Sequence, residues 1–213
     1  MENVLVAGAN GTTGKQVVKL LKSSQYFNPI AMVRKEEQLE EFNEEGIDTV
    51  LADLTENLTH AVSNIDKVIF AAGSGGKNVV EVDQEGAKRL MAVSKMAHVN
   101  RFVMLSSMGA DNPDAVDDLK DYMKAKQNAD EHLKSSGLKY TIVRPGTLNN
   151  FDGKGKIELR EKLNKKGEIS RADVAQTLVR ALHDDAPYNV TFEILEGDTL
   201  IGDAINNLNT IVN

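Results

Sequence analysis

The sequence predicts an α/β protein built on a mainly parallel, doubly wound β-sheet. Short apolar runs rich in β-branched residues alternate with longer segments of helical periodicity along the chain. The first apolar run is followed by three glycines spaced three residues apart, and then by a helical pattern. At 213 residues the chain is long enough to form one such domain with a sizeable core.

The first strand and the turn after it are the most informative stretch. Val4–Ala7 form the predicted strand, and Gly8, Gly11 and Gly14 precede the helical pattern of Lys15–Leu21. Glycine permits a sharp turn, close approach of the backbone to a phosphate and close packing of helix on strand. The helix start adds unpaired N–H groups. Strand, glycine turn and helix in this order predict a Rossmann-like dinucleotide site, although the glycines alone would also fit a turn that binds nothing.

The second predicted strand, Pro29–Val33, ends where an adenosine ribose should lie. An acidic residue at this end would bind the free 2′-hydroxyl of NAD. The residue here is Arg34, twenty positions after Gly14, and Lys35 lies beside it. This pair favours the 2′-phosphate of NADP; the alternative is a solvated charge pair at a helix start.

The rest of the chain continues the alternation of strands and helices. Further strands are predicted at residues 49–52, 67–72, 101–105, 140–143 and 190–195. Helices are predicted at residues 35–45, 79–97, 115–136, 170–183 and 201–208, with a short one at 58–62. Ser170 and Asp173 form a capping-box-like helix start. Residues 147–168 are polar and lysine-rich, and they are predicted to be irregular.

Two further features follow predicted strands on the cofactor side. The carboxylate of Asp53 could accept a hydrogen bond from an adenine amino group, or it could cap the short helix that follows. A second glycine-rich loop, residues 73–77, lies where a dinucleotide would cross the sheet. Lys77 in this loop could contact a phosphate, but a solvated side chain is the preferred interpretation.

Tyr122 and Lys126 are four residues apart on one predicted helix face. Extending this row adds Leu119, Ala129 and Leu133, the pattern of an inward-facing stripe. A buried ammonium needs partners, which a cofactor ribose and a tyrosine hydroxyl would supply. An ammonium near a phenol also favours the phenolate, which suits acid–base catalysis. The alternative is that Lys126 extends to solvent along its aliphatic stem while Tyr122 is a core residue.

Composition narrows the class of function. The net charge of −7 disfavours nucleic-acid binding, because binding the phosphate backbone of a nucleic acid needs a basic protein face. The absence of cysteine excludes disulfides, thiol catalysis and thiolate metal sites, and the four histidines show no ligand spacing. No apolar run is long enough to span a bilayer, and we expect no signal peptide before the first strand. We therefore expect a cytoplasmic protein whose partner is a small-molecule substrate, with no membrane and no metal.

Together these motifs resemble the short-chain dehydrogenase/reductase superfamily. The resemblance rests on Gly8-x-x-Gly11-x-x-Gly14, a serine after the fifth strand, Tyr122-x-x-x-Lys126, and Arg144-Pro145-Gly146. Residues 136–146 and 170–175 are especially similar to its compact, atypical NAD(P)-binding members, which are often described as NAD-dependent epimerase/dehydratase-like. The likeness extends through nearly the whole chain.

The resemblance implies specific roles. Ser107, Tyr122 and Lys126 match the catalytic serine, tyrosine and lysine, and Lys126 would also bind the ribose. Asp53 and Leu54 match the adenine-contacting pair, and Ala72 and Gly73 the loop beside the cofactor. The implied cofactor site is completed by the polar residues of the first turn, Asn10, Thr12 and Thr13. The likeness also implies one domain over residues 1–213, with residues 147–168 and the C-terminus forming the substrate side.

The expected function is an NADP(H)-dependent oxidoreductase that acts on a small carbonyl, quinone or similar acceptor. NADP(H) is expected in preference to NAD(H) because of Arg34. A sugar-nucleotide epimerase or dehydratase is an alternative, and the short C-terminal region disfavours it. A non-catalytic protein that senses the NADP redox state is the alternative from a different class.

Overall fold

A computed structural model describes residues 1–115 and 119–208 of the chain. The strands within these residues are β1 (Glu2–Ala7), β2 (Phe27–Val33), β3 (Asp48–Leu51), β4 (Lys67–Phe70), β5 (Arg101–Leu105), β6 (Tyr140–Pro145), β7 (Thr147–Asn149), β8 (Lys156–Arg160), β9 (Glu168–Ser170), β10 (Val190–Glu196) and β11 (Thr199–Leu200). The helices are α1 (Thr12–Lys22), α2 (Glu36–Glu44), α3 (Ala87–Met96), α4 (Lys120–Ser135), α5 (Arg171–Arg180) and α6 (Ile201–Asn206). A π-helical segment, Val79–Gly86, leads into α3, and short 3₁₀ turns lie at Thr59–Val62 and Pro113–Ala115.

Nine strands form one sheet in the order β11-β8-β10-β6-β5-β4-β1-β2-β3. The strands from β10 through β3 are parallel, whereas β8 pairs antiparallel with both β10 and β11. A separate two-stranded parallel pair joins β7 to β9. The run β3-β2-β1-β4-β5-β6 within this sheet is the Rossmann strand order 3-2-1-4-5-6, so the predicted doubly wound, Rossmann-like class is confirmed.

The central strands are apolar because both faces of the sheet are covered. Val4 to Ala7 of β1 have no exposed surface, and their side chains alternate between two apolar clusters. Helices α1 and α5 pack together on one face, and α3 packs on α4 on the other. Since parallel strands share one carboxyl edge, the loops after β1, β4, β5 and β6 meet there.

The prediction that residues 147–168 are irregular is wrong. The segment contains β7, β8 and the start of β9. In β8, Ile157 and Leu159 are buried while Lys156 and Arg160 are exposed. Buried and exposed residues thus alternate along β8. The alternation covers only one short strand near the edge of the sheet, and the surrounding lysines make it hard to recognise in the sequence.

Two predicted helices differ from the structure in detail. The helix predicted over residues 79–97 begins with the π-helical segment and becomes α-helical only at Ala87. Helix α4 begins at Lys120, and residues 116–118 of the predicted helix 115–136 lie outside the described residues. Among the helices of the described residues, none combines the length and the apolar character needed to cross a bilayer.

Candidate functional site

The glycine turn between β1 and α1 is fixed by close packing. Gly8 has a φ of +85°, and a Cβ there would lie 2.6 Å from the Cα of Ala72. A Cβ at Gly14 would lie 2.0 Å from the carbonyl oxygen of Gly8. Gly11 is less crowded, because its Cβ would lie 3.2 Å from the same oxygen. The turn therefore lies against the end of β4, which brings Gly8 together with Ala72, as the predicted cofactor site requires.

The start of α1 presents hydrogen-bond donors without a side-chain cap. Its N-cap is Gly11, the first turn contains no acidic residue, and Thr12 is exposed while Thr13 is buried. The buried Oδ1 of Asn10 has no hydrogen-bond partner among the described residues. Uncapped N–H groups at the positive end of a helix dipole favour an anion. These residues fit the pyrophosphate of a dinucleotide.

Arg34 lies exposed at the carboxyl end of β2, near Asp53. Two hydrogen bonds of 2.8 Å from the backbone N–H and hydroxyl of Thr55 reach Oδ1 of Asp53. These bonds lower the pKa of Asp53, and the charge of Arg34 lowers this pKa further. Asp53 thus closes a local turn. Leu54 is buried in the core, where its Cβ would lie 2.8 Å from a Cβ at Gly86.

Lys126 is buried on α4, with only 4% of its surface exposed. Its Nζ lies 3.4 Å from Oδ1 of Asp83, donates to the carbonyl oxygen of Leu105 at 3.4 Å, and is 5.5 Å from the ring centre of Tyr122. The structure therefore brings Tyr122 and Lys126 together. It excludes the alternative in which the ammonium of Lys126 extends into solvent.

Asp83 is a buried partner of Lys126 that was not among the predicted site residues. It lies in the π-helical segment, is 1% exposed, and its Oδ2 accepts a 2.9 Å hydrogen bond from the backbone N–H of Ser74. It therefore joins Lys126 to the second glycine-rich loop, where a Cβ at Gly73 would lie 3.4 Å from its Oδ1. The available signal was an acid within the apolar pattern of Val79, Val80 and Val82.

The buried face of α4 differs from the predicted row. Leu119, placed in the inward stripe, is 51% exposed, and Tyr122 is half-buried. The buried residues of the helix are Met123, Ala125, Lys126, Ala129, Asp130 and Leu133. The face is rotated toward Met123 and Asp130, which leaves Tyr122 at its margin, next to solvent. The phenol of Tyr122 is therefore partly open to solvent.

Ser107 follows β5, is partly exposed, and its hydroxyl donates to the carbonyl oxygen of Met108 at 3.2 Å. The neighbouring Ser106 is buried and donates to Oδ2 of Asp130 at 2.9 Å. Arg144 on β6 donates its Nε–H to the same oxygen at 2.9 Å. Burial raises the pKa of Asp130, and the charge of Arg144 opposes that rise. This cluster joins the carboxyl ends of β5 and β6, and the partly exposed Ser107 directly follows it in the chain.

Comparison with known proteins gives consistent matches. Residues 8–185 match the family model described as NAD(P)H-binding. The chain is 38% identical to the "uncharacterized sugar epimerase YhfK" of Bacillus subtilis, over 96% of this chain and 99% of that protein. A solved structure, a "putative NAD-dependent epimerase/dehydratase" from Bacillus halodurans, superposes with a TM-score of 0.92 at 37% identity, over 97% and 100% of the two chains. The NAD(P)H azoreductase of Xenophilus azovorans is 28% identical, over 88% of this chain and 67% of that protein. These matches confirm the resemblance inferred from the motifs.

Proposed function

The chain belongs to the NAD(P)H-binding family, and from that premise we propose that it is an NADP(H)-dependent oxidoreductase that reduces a small carbonyl, quinone or similar acceptor. The observation that carries the proposal is the buried Lys126 beside the half-buried Tyr122, at the edge where the glycine turn lies. A relative named as an NAD(P)H azoreductase supports reductive chemistry.

The chain's own residues would hold the dinucleotide in two places. The uncapped start of α1 and the turn from Gly8 to Gly14 would bind the pyrophosphate, together with Asn10. The guanidinium of Arg34 would bind the 2′-phosphate through charge-assisted hydrogen bonds. Asp53, whose carboxylate lies near Arg34, would help to orient this guanidinium.

When it is bound, the nicotinamide supplies the hydride, and the protein supplies position and a proton. Tyr122 would donate its hydroxyl proton to the acceptor oxygen while the acceptor carbon receives the hydride. The C=O π bond breaks and one C–H and one O–H bond form, so a carbonyl becomes an alcohol. Lys126 would stabilise the resulting phenolate, and the hydroxyl of Ser107 would hold the acceptor oxygen.

A sugar-nucleotide epimerase or dehydratase is the second candidate, because one matched protein is named an uncharacterized sugar epimerase and another a putative NAD-dependent epimerase/dehydratase. The arrangement of the last strands disfavours it. Beyond β6, the strands β8, β10 and β11 extend the main sheet instead of forming a separate lobe. An epimerase returns the hydride to its own substrate, so it consumes no NADPH over a full cycle.

The test is steady-state oxidation of NADPH with quinone and carbonyl acceptors. We expect continuous turnover with at least one acceptor, and a fall in kcat of about 10² or more for Tyr122→Phe, the usual effect of removing a positioned acid. NADPH affinity should survive in Tyr122→Phe and fall in Lys126→Ala, because only the lysine also serves the ribose. Full activity in Tyr122→Phe would show that another group donates the proton.

A further inference from the structure

We propose that Phe151 is a substrate-specificity residue, and that the acceptor is a planar conjugated molecule whose ring stacks on it. The inference rests on the proposed reductase function and names the substrate class for that site. Phe151 is the most exposed aromatic side chain of the described residues, at 75%. A single exposed apolar residue is ordinary, so the argument depends on how this one is held and what surrounds it.

The loop before Phe151 is anchored to the first turn of α5. Arg171 donates from Nη1 to the carbonyl oxygen of Leu148 at 3.3 Å and to Oδ1 of Asn150 at 2.8 Å. The backbone N–H of Phe151 donates to Oδ1 of Asn149 at 3.2 Å. The backbone is therefore held by side chains up to and including Phe151.

The loop after Phe151 is anchored to the same turn. Both oxygens of Asp173, which is 2% exposed, accept backbone N–H groups: that of Lys154 at 3.0 Å and that of Gly155 at 2.7 Å. A Cβ at Gly153 would lie 2.9 Å from the Cβ of Ala172, so the loop packs directly on the helix. A backbone fixed on both sides presents the ring of Phe151 to solvent, and such preorganisation lowers the entropic cost of binding.

The segment that leads through β7 to this loop starts beside the proposed reaction site. It continues from Pro145 at the end of β6, and the carbonyl oxygen of Pro145 accepts the backbone N–H of Met108 at 3.0 Å. Met108 directly follows Ser107, whose hydroxyl is proposed to hold the acceptor oxygen. Phe151 therefore follows Pro145 by six residues, and Pro145 is hydrogen-bonded to the residue next to Ser107.

Two more exposed apolar residues lie near the starts of the two segments that carry Asp83 and Lys126. The π-helical segment and α4 both start at the carboxyl edge and run the same way, and Asp83 pairs with Lys126 across them. Val80 lies three residues before Asp83, Tyr122 lies four residues before Lys126, and Leu119 is the N-cap residue of α4. Val80 is 56% exposed and Leu119 is 51% exposed. Phe151, Val80 and Leu119 thus lie on three segments near the carboxyl edge where the acceptor is proposed to bind, and exposed apolar residues at that edge are what an apolar ligand would contact.

A flat conjugated ring suits this arrangement. An aromatic side chain offers a planar face for offset stacking, and Val80 and Leu119 offer apolar edges. Quinone reduction balances overall: NADPH would supply a hydride and Tyr122 a proton, so the quinone gains two electrons and two hydrogens to become the hydroquinone while NADPH becomes NADP⁺. A compact aliphatic carbonyl would gain little from Phe151.

The experiment uses phenanthrenequinone as the planar probe and diacetyl as the compact one. We expect Phe151→Ala to raise KM for phenanthrenequinone by about three- to tenfold, the value of one aromatic pair, and to leave KM for diacetyl and for NADPH unchanged. Phe151→Tyr should restore the wild-type KM. Tyr26→Ala is the matched control, since Tyr26 is an exposed aromatic residue that precedes β2, at the opposite edge of the sheet.

A binding measurement separates this inference from the proposed function. Phenanthrenequinone is titrated into wild-type and Phe151→Ala protein saturated with NADP⁺, where no turnover is possible. Weaker quinone binding by Phe151→Ala than by the wild-type protein would support the stacking role of Phe151. If no acceptor supports NADPH oxidation, that outcome counts against the proposed reductase activity but not against the stacking role. Equal quinone affinity and equal KM in the two proteins would overturn the role of Phe151 while leaving the reductase intact.

Discussion

The Nζ of Lys126 and the Oδ1 of Asp83 are 3.4 Å apart, and 5% and 0% of the two side chains are exposed. The charge of the lysine is therefore balanced within the chain before any cofactor binds. Asp83 also accepts the backbone N–H of Ser74. One carboxylate thus links α4, the π-helical segment and the second glycine-rich loop.

The first prediction concerns this buried ion pair. Asp83→Asn keeps an oxygen for the N–H of Ser74 but leaves the ammonium of Lys126 without its carboxylate. Removing one partner of a buried pair costs about 3–5 kcal/mol, so the free energy of unfolding should fall by that order. Adding Lys126→Met should restore most of it, because an apolar side chain needs no counter-charge. Urea denaturation without cofactor measures both changes.

The control for this cycle is an exposed ion pair. Lys15 and Glu41 are 2.6 Å apart, and about half of each side chain is exposed. Glu41→Gln should change the free energy of unfolding by less than about 1 kcal/mol. The double variant gives the coupling between the two side chains. If the decreases in the free energy of unfolding caused by Asp83→Asn and by Lys126→Met add in the double variant, the ion pair makes no specific contribution to stability.

The glycine turn was predictable from sequence because its requirements are local. Gly8 and Gly14 contact each other across six residues, and the strand before them and the helix after them are evident from periodicity. The pairing of Asp83 with Lys126 was not predictable in this way. It depends on the register between two segments 43 residues apart, and on a π-helical segment that no periodicity in the sequence indicates. The inward row of α4 was misplaced for a related reason, since Leu119 and Met123 are equally apolar and only packing decides which is buried.

The second prediction tests the steric role of Gly14. A Cβ 2.0 Å from the carbonyl oxygen of Gly8 cannot be accommodated without moving the turn. Gly14→Ala should lower the free energy of unfolding by about 1–3 kcal/mol or more, the usual cost of overpacking. Gly202→Ala in α6 is the matched control, because nothing lies within 4 Å of its Cβ position. That variant should keep or gain stability, by up to about 1 kcal/mol, in the same denaturation assay.

The third prediction concerns His183, which packs edge-on against the rings of Tyr26 and Phe27. Burial lowers the pKa of His183, and the nearby Arg180 lowers it further. The unfolded chain binds the proton more readily than the folded one. The free energy of unfolding should therefore be constant above about pH 6.5 and decrease as the pH falls below that value. The slope cannot exceed about 1.4 kcal/mol per pH unit for one proton.

His183→Gln should flatten the decline between about pH 5 and pH 6.5, measured by urea denaturation across that range. His132→Gln, a change at an exposed position of α4, is the control and should keep the wild-type slope. Carboxylates held by cations, such as Asp184 beside Lys67, have a lowered pKa and lose their contribution only at lower pH. An unchanged slope in His183→Gln would assign the decline to those acids.

The last prediction concerns cofactor choice. The guanidinium of Arg34 is exposed at the end of β2, where a 2′-phosphate would lie, and no acid occupies that position to bind a free 2′-hydroxyl. Charge-assisted hydrogen bonds to the phosphate contribute about 1.5–3 kcal/mol, or tenfold or more in affinity. Arg34→Ala should therefore weaken NADPH binding by at least about tenfold and leave NADH binding nearly unchanged, as measured by titration calorimetry. The control is Arg160→Ala. Arg160 is an exposed arginine on β8, which lies at the end of the sheet opposite β2, so its loss should change neither the NADPH nor the NADH affinity. Equal affinities of the wild-type protein for NADH and NADPH would contradict the assignment, because the phosphate would then contribute no binding energy at this edge.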